Sequence, residues 1–313
     1  MEDKKIPYLG LSNFGNSCYF NSSIQFLKPV FDTLALTIEC DQNIFEIVSS
    51  YYKNYYNTHH LRNKYNYICN KIKSNYGQQD SDEAILVFLD DILSIPNKDI
   101  KKIFDFSIKY KHLVKCSKCK KFKICNDGND QIDNVLISKY FTQNIHSHNT
   151  TNFNDFLGSI LNRENADDNL IKTFKNETLC TCDNKYITIE TVLTDMPKFL
   201  IIYINRCSNN VSYKKDNKLQ IANKFEITTP KSLEEYCINK NLSNILHTYD
   251  LYGIIIHSGR SISGGHYYAY SKNVQTNDWY NCNDSTVTKI DNFNLNDEYI
   301  QSNCSALLYI KKN

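Results

Sequence analysis

The sequence has almost no net charge: 36 lysines and arginines face 34 aspartates and glutamates, leaving +2 at pH 7 over 313 residues. That balance gives no electrostatic reason to expect nucleic acid or an anionic membrane as a partner. No apolar run approaches the ~20 residues of a membrane span. Met1 to Pro7 is charged and lacks the apolar centre of a secretory leader. The 12 cysteines therefore read as reduced thiols, not as a disulfide framework, and the expected location is cytoplasmic or nuclear. In such a compartment the Asn-x-Ser/Thr sequons at Asn149, Asn176 and Asn283 carry no meaning. Internal repeats and long low-complexity tracts are also missing. What is there is 41% hydrophobic residues, enough for a sizeable core in one large domain or two small ones. The Asn, Lys, Ile and Tyr bias is read as coding bias and implies no function.

A turn rich in Gly, Asn and Ser runs from Gly10 to Ser17 and gives way at Cys18 to a helical pattern. Phe20, Ile24 and Leu27 recur at helical spacing, and Pro29 is expected to close the run. Asn16 or Ser17 is a good N-cap. Cys18 then lies in the first helical turn, where unpaired N–H groups and the helix dipole favour a thiolate. A lowered pKa is the expectation. The plain alternative is a small buried hydrophobe, the commonest role of a free Cys.

The other end of the chain supplies candidate partners. Leu251 to Ile256, Tyr267 to Tyr270 and Trp279 to Cys282 read as three strands. His266 opens the second, after Gly264 and Gly265, which allow close backbone approach. Asn283 and Asp284 end the third. A hairpin of these strands would set His266 beside Asn283. A Cys, a distant His and an Asn to orient it form the constellation of papain-like thiol proteases.

The Cys18 box, the Gly264-Gly265-His266-Tyr267 box and Trp279-Tyr280 with Asn283-Asp284 together resemble the ubiquitin-specific proteases. So do Gln78-Gln79-Asp80-Ser81-Asp82-Glu83 and the last strand, Ala306 to Ile310. The resemblance runs from about Leu9 to Ile310. It implies an α+β, papain-like cysteine protease fold in a single catalytic domain over 1–313, acting as a monomer. A helical thumb would cover about 8–110, β fingers 111–195 and a β palm 196–313. It implies a deubiquitinase in which Cys18 is the nucleophile, His266 the base and Asn283 its orienter. Asn13 would donate to the oxyanion, and Asp284 would assist. The expected substrate contacts are Gln78, Asp80, Glu83, Gly264, Gly265 and Tyr267, along the arginine-bearing C-terminal tail of ubiquitin. The expected partners are ubiquitin or ubiquitinated proteins. An inactive ubiquitin-binding scaffold, or a protease for another ubiquitin-like modifier, remains the alternative.

Between the boxes, Ile44, Ile47, Val48, Tyr51 and Tyr55 mark one amphipathic face, and Leu61, Tyr65, Ile68 and Ile72 another. Asp80 is expected to cap a third helix, with Glu83 at the capping-box position. Phe153, Phe156, Leu157, Ile160 and Leu161 suggest a short helix, and Phe199 to Arg206 a strand. Lys231 to Leu246 reads as one helix or a loop. Cys116 and Cys119 form a two-residue-gap knuckle, and Cys180 and Cys182 a second pair. Four thiolates from two knuckles signal a structural zinc ion, which in the resembled family ties the finger tips. The one-residue gap between Cys180 and Cys182 departs from that family's pattern. Cys125 as a substitute ligand, or a degenerate site without metal, remains open. No cofactor is expected for catalysis. His257, flanked by apolar residues, reads as structural.

Overall fold

The structure is a computed structural model, which describes residues 8–37, 57–72, 80–94, 103–125, 131–133, 151–152, 168–204, 206–208, 211–214, 216–238, 244–261 and 264–312. Gln78 and the expected helices around Ile47 and Phe156 lie outside these residues.

Three helices open the described chain: α1 (Cys18–Thr37), α2 (Thr58–Lys71) and α3 (Ser81–Leu93). Their apolar stripes meet in one cluster. Phe20 of α1 sits 5.6 Å from Tyr65 of α2 and 5.3 Å from Phe88 of α3, centroid to centroid. Helix α1 does not end at Pro29, as its sequence suggests, but carries it inside. Proline removes one N–H and costs a helix interior about 3 kcal/mol. Burial on both sides of it offsets this, because Ile24, Leu27, Val30, Phe31 and Leu34 are all core residues. The same helix buries Lys28, whose ammonium bonds to Asp32 at 2.6 Å and lies 4.2 Å from the centroid of the Tyr8 ring.

The next strands are β1 (Ser107–Cys116), β2 (Phe122–Cys125), β3 (Gln131–Asp133), β4 (Thr151–Asn152) and β5 (Ile187–Asp195). β1 pairs antiparallel with β2, β3 and β5 in a four-stranded sheet. Helix α4 (Asp168–Thr178) lays Ile171 and Phe174 in a small cluster with Val114 and Ile187.

The remaining strands are β6 (Phe199–Tyr203), β7 (Cys207–Ser208), β8 (Val211–Lys214), β9 (Leu219–Gln220), β10 (Lys224–Pro230), β11 (Asn244–Ser258), β12 (His266–Lys272), β13 (Trp279–Asn283), β14 (Thr286–Ile290) and β15 (Cys304–Lys311). Short helices α5 (Leu233–Ile238) and α6 (Glu298–Asn303) lie between them. Seven strands form one antiparallel sheet in the order β14-β13-β12-β11-β15-β6, with β10 also on β11. Lys231 to Leu246 is thus neither one helix nor a loop, since α5 is followed by the start of β11.

The sheet is covered on both faces. Ile255, Ala306, Leu308 and Ile201 face the cluster of α1, while Ile254, Ile256, Leu307 and Ile202 enter a second cluster. Burial on both faces explains why Leu251 to Ile256 and Phe199 to Ile204 are continuous apolar runs without alternation. Gly253 lets α1 come close, because a Cβ there would sit 3.0 Å from the Phe26 ring. The expected thumb–finger boundary at 110 falls inside β1, and the finger–palm boundary at 195 coincides with the end of β5.

Candidate active site

Cys18 is the first residue of α1. The turn before it folds around Asn13, whose Oδ1 accepts from Gly15 N at 2.9 Å, Ser17 N at 3.4 Å and Ser17 Oγ at 3.2 Å. Gly15 adopts φ 111°, a left-handed conformation that favours glycine. The Ser17 carbonyl accepts the helical bond from Asn21 N at 2.9 Å. Its hydroxyl turns back to accept from Phe14 N at 2.8 Å.

On the sheet, His266 opens β12 and Asn283 closes β13. The His266 Nε2 lies 2.6 Å from Asn283 Oδ1. An amide oxygen only accepts, so Nε2 carries the proton and Nδ1 holds the basic lone pair. The main-chain N–H of the next residue, Tyr267, acts on the Cys18 thiol and favours its thiolate. The nucleophile candidate thus feels the residue beside the base candidate.

The Cys18 thiol does not have the lowered pKa expected from its helix position. Burial pushes it up, and the Asp284 carboxylate adds to the rise. The N–H groups of Tyr267, Tyr19 and Cys18 itself pull the other way without winning. The side chain is 5% exposed, and desolvation disfavours the thiolate more than one helical end favours it.

Asp284 divides its carboxylate between two amides. Oδ2 accepts from Asn13 Nδ2 and Oδ1 from Asn21 Nδ2, each at 2.8 Å. Leu11 N donates to the Asp284 carbonyl at 2.8 Å. Gly10 passes so close that a Cβ there would meet the Ser285 carbonyl oxygen at 2.0 Å. The cysteine turn and the Asn283–Asp284 turn are therefore one unit. Asn13, the expected oxyanion donor, spends one amide N–H on Asp284 and keeps the second. Asn21 was missed as a site residue. Its place three residues past Cys18, next to the turn, is the only trace of it in the sequence.

Of the expected substrate contacts, Asp80, Glu83 and Tyr267 lie at or against the start of α3. Asp80 occupies the N-cap position, but its side chain makes no capping bond. The expected capping box with Glu83 does not form, because Asp80 Oδ1 accepts from the Tyr267 hydroxyl at 2.7 Å. Burial, and then the Asp80 charge, push Asp82 up to about 6. The same two causes raise Glu83. Gly264 and Gly265 lead into His266, and Gly265 adopts φ 154°. His257 stacks on Tyr267 at 4.3 Å between centroids.

At the far end of β1, the sulfurs of Cys116, Cys119, Cys180 and Cys182 all lie within 4.8 Å of one another. A tetrahedral zinc with Zn–S bonds of about 2.3 Å needs sulfur separations near 3.8 Å. The Cys119–Cys180 pair stands at 3.6 Å. The short gap is accommodated by Leu179, whose φ of 51° reverses the chain just before Cys180. Cys116 is pushed down to about 6, first by the Cys119 N–H. Four converging thiols fit a closed structural zinc site. Cys125 lies on β2, and its side chain is outside the described atoms.

A family model described as ubiquitin carboxyl-terminal hydrolase matches residues 9–309. The chain belongs to this family. Among curated relatives, ubiquitin carboxyl-terminal hydrolase 15 of Schizosaccharomyces pombe is 23% identical over 91% of this chain and 25% of its own length. Ubiquitin carboxyl-terminal hydrolase 48 of Rattus norvegicus is 24% identical over 92% of this chain and 28% of its own. The chain thus spans about a quarter of the length of these hydrolases. A solved SAGA DUB module of Ubp8, Sgf11, Sus1 and Sgf73 bound to monoubiquitin superposes with TM-score 0.61 at 18% identity, covering 100% of this chain and 71% of that one. The module bound to ubiquitin aldehyde gives TM-score 0.62 at 17% identity, with coverage of 100% and 71%. The α+β fold of this chain is the fold of these family members.

Proposed function

We propose that the chain is a thiol deubiquitinase, hydrolysing the peptide or isopeptide bond after the C-terminal glycine of ubiquitin. The observation that carries this reading is His266 Nε2 at 2.6 Å from Asn283 Oδ1, with the neighbouring Tyr267 N–H acting on the Cys18 thiol. His266 Nδ1 takes the Cys18 proton as the sulfur attacks the carbonyl carbon. The C–N bond then breaks, the leaving lysine amine takes the proton, and a thioester remains. Water, deprotonated by His266, hydrolyses the thioester and restores the thiol. Because burial raises the Cys18 pKa, deprotonation by His266 belongs to the attack itself. The second N–H of Asn13 is available for the oxyanion, and one such donor contributes on the order of 3 kcal/mol. Asp80, Asp82 and Glu83 offer carboxylates to a basic tail beside Tyr267.

The test is fluorophore release from a C-terminal ubiquitin conjugate, with Cys18→Ala and conjugates of other modifiers in parallel. Release by the wild type alone supports the reading. Cleavage of another modifier in place of ubiquitin keeps the mechanism and replaces the substrate. Ubiquitin binding without any cleavage would establish a scaffold instead.

A further inference from the structure

We propose that His257 positions His266, acting as a wedge beneath Gly265. The proposal rests on reading Cys18 and His266 as the reacting pair. In the β11–β12 ladder His257 lies opposite Tyr267, and the next pair is Ser258 with His266. The His257 ring lies flat on the Tyr267 ring, 4.3 Å between centroids and 10° from parallel. Its edge abuts Gly265, where an added Cβ would sit 2.6 Å from Nε2 and 3.2 Å from Cδ2. The imidazole thus fills the space between the residue after His266 and the residue before it.

Three bonds keep the ring from retreating. The Lys214 ammonium donates to the His257 carbonyl. Lys214 N donates to the Arg260 carbonyl at 3.1 Å. Ser258 Oγ accepts from the Tyr299 hydroxyl at 2.5 Å. Tyr267, the plate on which the ring rests, is fixed by its hydroxyl, which donates to Asp80 Oδ1 at 2.7 Å. His257 itself is 6% exposed, and its Nε2 is buried without a hydrogen bond. Burial, and then the Lys214 charge, hold it down at about 4, so it stays neutral. A ring that neither carries charge nor spends its buried nitrogen on a bond acts by shape. What its shape supports is the glycine bridge on which the base is mounted.

Two variants separate this from a merely structural role. His257→Val keeps a strand-forming stem and removes the ring, whereas His257→Phe keeps a ring of similar shape without the nitrogen. Two rates are read: kcat and KM on a ubiquitin conjugate, and alkylation of Cys18 by iodoacetamide, followed by the mass of its peptide. In His257→Val both kcat and the Cys18 alkylation rate fall about 10- to 100-fold while KM stays within about 2-fold, as for a displaced catalytic group. In His257→Phe both rates return to within about 3-fold of wild type. Wild-type alkylation in His257→Val overturns the proposal, and so does a Phe variant as slow as the Val variant. Alkylation needs no ubiquitin, so it still reads the wedge if the conjugate proves not to be a substrate.

Discussion

Substituting Gly10 by alanine is expected to damage catalysis as well as stability, although Gly10 touches no reacting atom. The added Cβ would lie 2.0 Å from the Ser285 oxygen, 2.4 Å from its carbonyl carbon and 2.7 Å from its Cα. All three are backbone atoms, so no side chain can swing aside. Ordinary contact is about 3.5 Å, so the two turns must separate by roughly 1.5 Å. The 2.8 Å bond from Leu11 N to the Asp284 carbonyl would break, and the grip of Asp284 on Asn13 and Asn21 would loosen. Overpacking of this kind costs about 1–3 kcal/mol, and the lost bond about 1 more. A displacement of about 1 Å between catalytic groups costs on the order of 100-fold in rate. Urea unfolding and turnover of a ubiquitin conjugate measure the two effects separately. Gly264→Ala is the control for stability, since a Cβ there meets nothing within 4 Å. A Gly10→Ala enzyme with wild-type kcat would refute the claim that these two turns form one catalytic unit.

Further outcomes follow from the charges and thiols. Asp82 titrates at about 6 in the fold, above an ordinary value of 3.8, so the unfolded chain loses its proton first and stability drops between those values. Asp82→Asn should therefore raise stability at neutral pH by about 1–2 kcal/mol, less than the full shift implies because the group is partly solvated, with no gain below pH 4. Equal denaturation midpoints at pH 7.5 would contradict this. As pH falls through 6 the same carboxylate neutralises, so KM for a substrate with a basic tail should rise there in wild type and stay flatter in the variant. One zinc per chain is expected by elemental analysis of the purified protein. Its removal by a chelator, or Cys119→Ser, should lower the melting temperature by several degrees while Cys18 alkylation is unchanged; a metal-free wild type of equal stability would remove zinc from the fold.

Much of the site was legible because its chemistry is local. The turn before Cys18, the glycines before His266 and the strand ending at Asn283 each announce themselves within a dozen residues, and the structure places His266 against Asn283 at the predicted hairpin. The paired cysteines were legible too, although Leu179 and its left-handed turn were needed to see how a one-residue gap can work. What escaped depended on contacts far along the chain. Pro29 looked like a helix end because propensity knows nothing of the sheet against which α1 is buried. The Cys18 thiolate looked favoured because a helix terminus is visible in sequence and burial under Tyr267 is not. Asp80 looked like a cap because its partner is 187 residues away. The bond between Asn21 and Asp284 spans 263 residues and left no local mark.

Those long separations bear on how the protein comes into being. The candidate nucleophile Cys18 precedes the candidate base His266 by more than two-thirds of the sequence. The bonds that join Asn13 and Asn21 to Asp284 span 271 and 263 residues, so they close only after the central sheet has formed around β11. Such distant pairings are slow to find. A chain still being synthesised short of Asp284 therefore holds Cys18 without the carboxylate that joins the two turns, and the candidate site can assemble only after that residue has been added.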